Sequence, residues 1–389
     1  MKHILLGMSR LLSNVIAAHR LTGIDRVIMA YLRHYEHHVS GVVQFKLIYW
    51  KLNLILSQNT TSQILQLIDS KPKYYRFKII FLLIKGRATK KERQGLAGGV
   101  LLNIEPARYD GHPHISNIPG VISLFMVHDL IPLHYPEYCS PGRGQEYLSM
   151  FNCLTNYAHG ILTNSQATLE ELQSFAVSQR KQLPPTRAVL LGSDLHLNLA
   201  TPSTVPPLSQ PYFVILGTIE PRKNHLLLLQ VWRRLVEQLK EKTPRLVIIG
   251  KRGWELENIV DYLERCEILR ELVIEVLVND NDLASYLCHA RALLFPTFAE
   301  GYGIPLAEAL SLKVPVIASN LQVFKEIARD IPEYIDPLDG ITWLKTIKAY
   351  THENSEQRFS QLQRLSHYTP PTWAEHFEKL DAFMEHLLQ

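Results

Sequence analysis

The sequence predicts an α/β protein of two domains, each built on a parallel sheet covered by helices. Three observations predict it. At 389 residues the chain is long enough for two cores of ordinary domain size. Its second half alternates short apolar runs with helix-period segments, the pattern of strands and crossover helices. A proline-rich polar stretch, Pro202 to Pro211, separates that half from a first half of similar but weaker pattern. The boundary is placed there, giving domains over 1–205 and 206–370 and a last helical segment over 371–389.

In the first half the strand candidates are Leu5-Leu6, Val42 to Tyr49, Ile79 to Ile84, Val100 to Ile104, Val121 to Val127 and Gly160 to Thr163. Gly23 to His37 and Ser165 to Phe175 read as helices. In the second half Tyr212 to Leu216 is a strand closed by Gly217. Asn224 suits a helix cap before His225 to Lys240, where the leucines at 226 to 229, Trp232 and Leu235 form an apolar face. Strands over Leu246 to Ile249, Leu272 to Val278, Ala292 to Pro296 and Val314 to Ala318 then alternate with helices over Glu255 to Leu269, Asp282 to Ala292, from Ile304, and over Leu321 to Arg329.

The composition, 46% hydrophobic and 20% charged, is that of a soluble globular chain. A net charge of +4 does not suggest a nucleic-acid binder and suits an anionic ligand or membrane surface. Cys139, Cys153, Cys266 and Cys288 are widely spaced and read as free thiols in a reducing compartment. No segment approaches the ~18 apolar residues of a membrane span, and the N-terminus does not read as a signal peptide. The expectation is a cytoplasmic protein, with peripheral attachment to the inner face of the cell membrane left open.

The most informative stretch is Glu300-Gly-Tyr-Gly-Ile-Pro-Leu-Ala-Glu308. It follows a buried strand and enters a helix. Gly301 and Gly303 permit a tight turn, and Pro305 suits the first helical turn. Free amides at a helix start attract phosphate, so carboxylates on either side make sense if they take sugar hydroxyls. The pattern points to a nucleotide-sugar site. Gly217 to Asn224 is a second strand end, carrying the adjacent cations Arg222 and Lys223; in open α/β sheets such loops face the ligand crevice. Both cations suit a diphosphate, arginine as a fork and lysine as a point charge. Gly250-Lys251-Arg252-Gly253-Trp254 repeats the arrangement one strand later, and an ordinary surface turn fits it equally well. His128-Asp129 ends the 121–127 strand, either as a polar device at the crevice or as a structural pair. Thr22-Gly23 enters a helix whose amides face the crevice or simply form a loop. Asn164 or Ser165 caps the helix that follows. No nucleophile elbow and no P-loop are present.

In this order and context the chain resembles family 4 of the retaining glycosyltransferases, enzymes of the GT-B fold. The markers are Thr22 to Val27, Val127 to Pro132, Thr163-Asn164-Ser165, Leu191 to Asp194, Gly217 with Arg222-Lys223, the 250–254 turn, and Pro296 to Ala299 leading into the E-x7-E block. The resemblance covers nearly the whole chain. It implies two Rossmann-like domains with parallel sheets facing across a cleft, the second holding the sugar nucleotide and the first the acceptor. It implies that Glu308 binds ribose hydroxyls and Glu300 the donor sugar. Arg222, Lys223 and the amides around Gly301, Gly303 and Ile304 would hold the diphosphate. His128 would sit at the transferred sugar or acceptor, with Gly23 near the phosphates and Gly217, Lys251 and Arg252 on the nucleotide side. The final helix would brace the first domain. No metal and no cofactor are expected: the cations supply the charge, and the nucleotide-diphospho-sugar is a substrate.

The chain departs from the family pattern in three places. Tyr302 stands where phenylalanine is common, Ile304 where leucine is, and Gly7 where an acid often lies near the end of the first strand. Acceptor recognition is assigned to the unmatched region 85–120. The expected activity is retaining hexosyl transfer from a GDP-mannose-like donor to a saccharide or lipid-linked saccharide, in surface polysaccharide or lipopolysaccharide synthesis. Two other readings stay open: a sugar-nucleotide epimerase or phosphorylase-like enzyme of the same fold, and a non-catalytic binding protein.

Overall fold

The computed structural model describes residues 3–19, 21–47, 50–105, 118–193 and 202–389; part of the 85–120 region and Asp194 lie outside these. Among them β1 (Ile4–Gly7), β2 (Val39–Leu47), β3 (Trp50–Ile55), β4 (Val100–Asn103), β5 (Ile122–Val127), β6 (Gly160–Thr163) and β7 (Thr186–Ala188) form a sheet in the order β3-β2-β1-β4-β5-β6-β7. All pairs are parallel except β2 with β3, which is antiparallel. A second, wholly parallel sheet contains β8 (Tyr212–Leu216), β9 (Arg245–Ile249), β10 (Val273–Val276), β11 (Leu293–Phe295), β12 (Val316–Ser319) and β13 (Glu333–Ile335), in the order β10-β9-β8-β11-β12-β13. Strands such as β1, β6 and β12 are buried at every position, as sheets with helices on both faces require.

Strand order reverses between β1 and β4 in the first sheet and between β8 and β11 in the second. Loops leaving the carboxyl ends on either side of such a switch diverge and open a crevice. The two crevices face each other.

Three expectations are corrected. Ile79 to Ile84 is not a strand but part of the helix Tyr75–Lys85, with Ile79 and Leu83 buried one turn apart. A short apolar run has no period of its own, so strand and helix cannot be told apart until a neighbour selects one. Strand β3 was not read from the sequence, and it makes the first sheet mixed rather than parallel. Asn224 does not cap the helix His225–Leu239 through its side chain: it sits at φ +57° and its amide donates to the Pro337 carbonyl at 2.9 Å.

The last helix, Trp373–Leu387, packs against Gly23–His34 of the first domain. Tyr35 donates to Asp381 at 2.6 Å, the His34 ring stacks on Phe377 at 3.8 Å, and the Tyr31 hydroxyl meets His376 at 2.8 Å. No helix among the described residues is long and apolar enough to cross a membrane.

Candidate active site

The β8 switch loop carries Arg222 and Lys223 on a single turn of 3-10 helix, and the β11 loop carries Glu300. The two loops close on each other. Arg222 lies 2.9 Å from Glu300 and 2.6 Å from Glu220, and also donates to the Ala299 carbonyl at 2.6 Å. Lys223 pairs with the same Glu300 oxygen and lies over the Phe295 ring at 4.9 Å. Thr297 buttresses the turn by donating to the Arg222 carbonyl at 3.1 Å.

Burial alone would raise the Glu300 carboxyl; Arg222 and Lys223 overcome that and hold it below the usual range. Burial opposes the Arg222 charge, but Glu300, Glu220 and Asp129 reinforce it. Burial draws the Lys223 amine below the usual lysine range, and Glu300 restores part of the loss. These are paired charges that are mostly covered by the surrounding protein.

Gly217 sits at φ +141°, and a side chain there would meet the Lys223 stem at 3.5 Å. Gly303, at φ +104°, starts the helix Ile304–Ser311 with its amides free of side-chain caps. Glu308, one turn into that helix, is buried and faces the first domain, where Arg26 donates to it at 2.7 Å. Arg26 belongs to the Thr22 to Val27 segment. Within that segment Asp25 closes a capping box with Thr22 and lies 3.7 Å from Arg10. A methyl on Gly23 would come within 2.6 Å of the Ile304 side chain, so this glycine lets the first domain's helix start approach the second's.

The other side of the cleft is the end of β5. A side chain on Gly301 would overlap the His128 carbonyl oxygen and reach 2.7 Å from the Asp129 Cβ. The His128 Nε2 donates to the Ile104 carbonyl at 2.8 Å, which leaves Nδ1 as the acceptor face of the ring. Burial, with the nearby Arg10 charge assisting, keeps this histidine neutral, although the Ile104 bond opposes them. Burial pushes the neighbouring Asp129 carboxyl up, and Arg222 pulls it back. Ser165 and Thr168 each donate to the Gly301 carbonyl at 3.1 Å, and Tyr302 donates to the Leu191 carbonyl at 2.6 Å. Ser165 also caps its own helix, accepting from the Thr168 amide at 3.1 Å. The tyrosine that replaces the family's phenylalanine has thus found a cross-domain partner.

The structure therefore brings together Gly23, His128, Gly217, Arg222, Lys223, Glu300, Gly301, Gly303, Ile304 and Glu308. It does not bring Arg252 in. That side chain is held on the surface by Glu264 at 2.5 Å and Glu275 at 2.8 Å, while its backbone bridges Ile219 and Lys251 stays exposed. Gly250 serves packing, since a side chain there would overlap the Gly217 carbonyl. Sequence reasoning missed Arg26, Arg10 and Glu105 as site residues, and left Asp129 open between a crevice device and a structural pair. Glu105 follows β4 at the switch point, is buried, accepts from the Arg10 amide and reaches toward Gly7. An added Cβ on Gly7 would lie 3.4 Å from its carboxylate, so this acid occupies the space beside the glycine that replaces one. Its signal was a polar residue at the carboxyl end of an apolar strand.

Two buried histidines, one beside the site and one on the last helix, make stability acid-sensitive. His225, beside Lys223, is buried and lowered to about 3 by burial and then by the Lys223 charge. His376 is lowered to about 4 by burial, though its bond to the Leu190 carbonyl opposes this. The unfolded chain therefore binds these protons first, near pH 6.5. Stability is complete above that and is lost as pH falls toward the folded values, by about 2 kcal/mol per histidine at pH 5. Thermal unfolding between about pH 7.5 and 5 checks this, and a midpoint that does not fall with pH would contradict it.

Two α/β domains facing across a cleft, with the switch-point loops of both meeting at buried charges, define the GT-B architecture. Similar solved structures include Anabaena Alr3699/HepE in complex with UDP-glucose (TM-score 0.70, 11% identity, 99% of this chain and 100% of that one). Another is sucrose-phosphate synthase from Thermosynechococcus elongatus (TM-score 0.63, 16% identity, 99% of each chain). Residues 201–334 match the family model described as glycosyl transferases group 1. Among curated relatives, the serotype-specific mannosyltransferase WbdA of Escherichia coli is 30% identical over 260 residues, 61% of this chain and 31% of that protein. The O-antigen chain mannosyltransferase B of Escherichia coli is 39% identical over 132 residues, 33% of this chain and 34% of that one. The chain spans about a third of the length of these curated relatives.

Proposed function

We propose that the protein is a retaining, metal-independent hexosyltransferase. It would move a sugar, mannose from GDP-mannose in the simplest case, to a saccharide or lipid-linked saccharide in surface polysaccharide or lipopolysaccharide synthesis. The observation that carries this is the trio Arg222, Lys223 and Glu300, mutually paired and mostly covered at one switch point and facing the neutral His128 of the other domain. Breaking the glycosidic C–O bond leaves negative charge on the diphosphate. Preorganised cations in a dry cleft stabilise that charge without reorganising. Glu300, already oriented by both cations, takes the sugar's hydroxyls, and the helix start at Gly303 adds amides to the phosphates. His128 Nδ1 accepts from a hydroxyl of the transferred sugar or acceptor. Glu308 exchanges its Arg26 contact for the ribose hydroxyls. In this reading the leaving phosphate helps deprotonate the acceptor, and the enzyme works in the cytoplasm at the inner face of the membrane, where a lipid-linked acceptor is presented. The mannosyltransferases among the relatives support the donor class.

A thermal-shift screen of UDP-, GDP-, ADP- and dTDP-sugars tests the donor; a nucleotide at 100 times its Kd stabilises by about 2.7 kcal/mol. No shift with any of them overturns the reading. Glu308→Ala weakens nucleotide binding roughly ten- to hundredfold, the worth of hydrogen bonds to a carboxylate. An unchanged Kd for that variant would remove Glu308 from the donor site.

A further inference from the structure

The helix Tyr75–Lys85 carries a face that the rest of the protein leaves uncovered. Phe77, Ile80, Phe81 and Ile84 recur at i, i+3, i+4 and i+7, one stripe of a helix. Phe77 is 71% exposed, Ile84 68% and Phe81 54%, while Ile79 and Leu83 on the opposite face are buried. Tyr74, immediately before the helix, extends the stripe at 63% exposure. Beside the stripe lies a groove of about 600 Å³ against the helix Gln58–Ser70, lined by Leu67, Tyr74, Phe77 and Phe81 among others.

The charge around this stripe has one sign. Between residues 71 and 91 the sequence has eight lysines and arginines and no acid, in a protein whose net charge is only +4. Lys85 lies over the Phe81 ring at 4.6 Å and Lys73 over the Tyr74 ring at 5.1 Å. Aromatic and aliphatic side chains framed by cations suit the boundary between lipid headgroups and acyl chains. A second copy of the same face would set cation against cation, and a protein partner would need an acidic surface of matching shape.

We infer that this face docks the first domain on an anionic phospholipid bilayer. The stripe enters the acyl boundary and the flanking cations meet the phosphates. The helix packs on Ser9–Ile16, whose first turn holds Arg10 against Asp25 and Glu105 at the acceptor-side crevice. Docking there sets that side of the cleft near the bilayer. The inference deepens the membrane-proximal acceptor of the reading above and rests on it for its purpose, but its evidence and its test do not depend on glycosyl transfer.

The experiment is co-sedimentation of the full chain with vesicles of phosphatidylglycerol and phosphatidylcholine, and with vesicles of phosphatidylcholine alone. Binding to the anionic vesicles that falls steeply with salt is expected. Phe77→Ser combined with Phe81→Ser lowers the partition coefficient by roughly tenfold or more. Both residues are exposed, so the variant keeps its fold and its nucleotide-induced thermal shift. Arg76→Gln with Lys78→Gln weakens binding to anionic vesicles alone. Equal partition of wild type and the double-serine variant, or no binding to anionic vesicles, overturns the inference. So does a concentration-dependent dimer that the serines abolish, which would make the occupant a second copy. Vesicle binding by a protein that shifts with no nucleotide would leave this inference standing while the donor reading fails.

Discussion

Replacing Arg222 by alanine lowers turnover roughly 10²- to 10³-fold, the loss expected when one preorganised charge is removed from a developing anion. The side chain sits at the carboxyl end of β8 with a carboxylate on each side, Glu220 at 2.6 Å and Glu300 at 2.9 Å. Its removal has two consequences. In the proposed reaction the diphosphate would lose its bidentate partner as the C–O bond breaks, so kcat is expected to fall more than nucleotide affinity does. The two buried carboxylates also lose a compensating charge, which costs about 3–5 kcal/mol of stability if nothing relaxes. Arg222→Lys separates the two. It retains the charge and most of the stability but loses the fork, so turnover stays low while the melting temperature recovers. Steady-state kinetics beside thermal unfolding of both variants make the comparison. Wild-type turnover in the alanine variant would remove Arg222 from the reaction.

Gly301→Ala is expected to cost about a hundredfold in turnover with little loss of donor binding, since a misplacement of about 1 Å at a reacting centre has that effect. A methyl there overlaps the His128 carbonyl and crowds the Asp129 Cβ, so the segment must shift. The expected response is a small separation of the two domains at the cleft. His128 then moves off the donor, while Arg222, Lys223, Glu300 and Glu308 keep their places in the second domain. Gly303→Ala provides the contrast. It demands a left-handed conformation at φ +104° and strikes Phe324 at 2.6 Å, so it damages the second domain itself and lowers its stability. If Gly301→Ala turns over at the wild-type rate, the cleft does not work in the closed arrangement described.

Much of the second domain was legible in the sequence. Three of its strands, β8, β9 and β11, are short apolar runs ended by glycine or proline, and its helices bury one face at a 3.6-residue period. The loops that carry Arg222, Lys223, Glu300 and Glu308 lie at strand ends, where parallel sheets place ligand loops. The first domain was less legible. Ile79 to Ile84 has strand-like composition yet became a helix, because Ile79 and Leu83 found a surface one turn apart to bury against. Arg252 resembled Arg222 in local context, but Glu264 and Glu275 hold it outward.

What the sequence determined by itself is therefore local. It set most strands of the second domain, where glycine admits a turn, and which acids and cations stand at strand ends and helix starts, because period, turn chemistry and capping act over a few residues. The tertiary structure alone decided the pairings over long separations. Arg26 meets Glu308 across 282 residues, His128 lies against Gly301, and Glu105 comes beside Gly7. These contacts follow from how two twisted sheets face each other, and the charges at each site, neutral His128 and ionised Glu300 among them, follow from the burial that facing imposes.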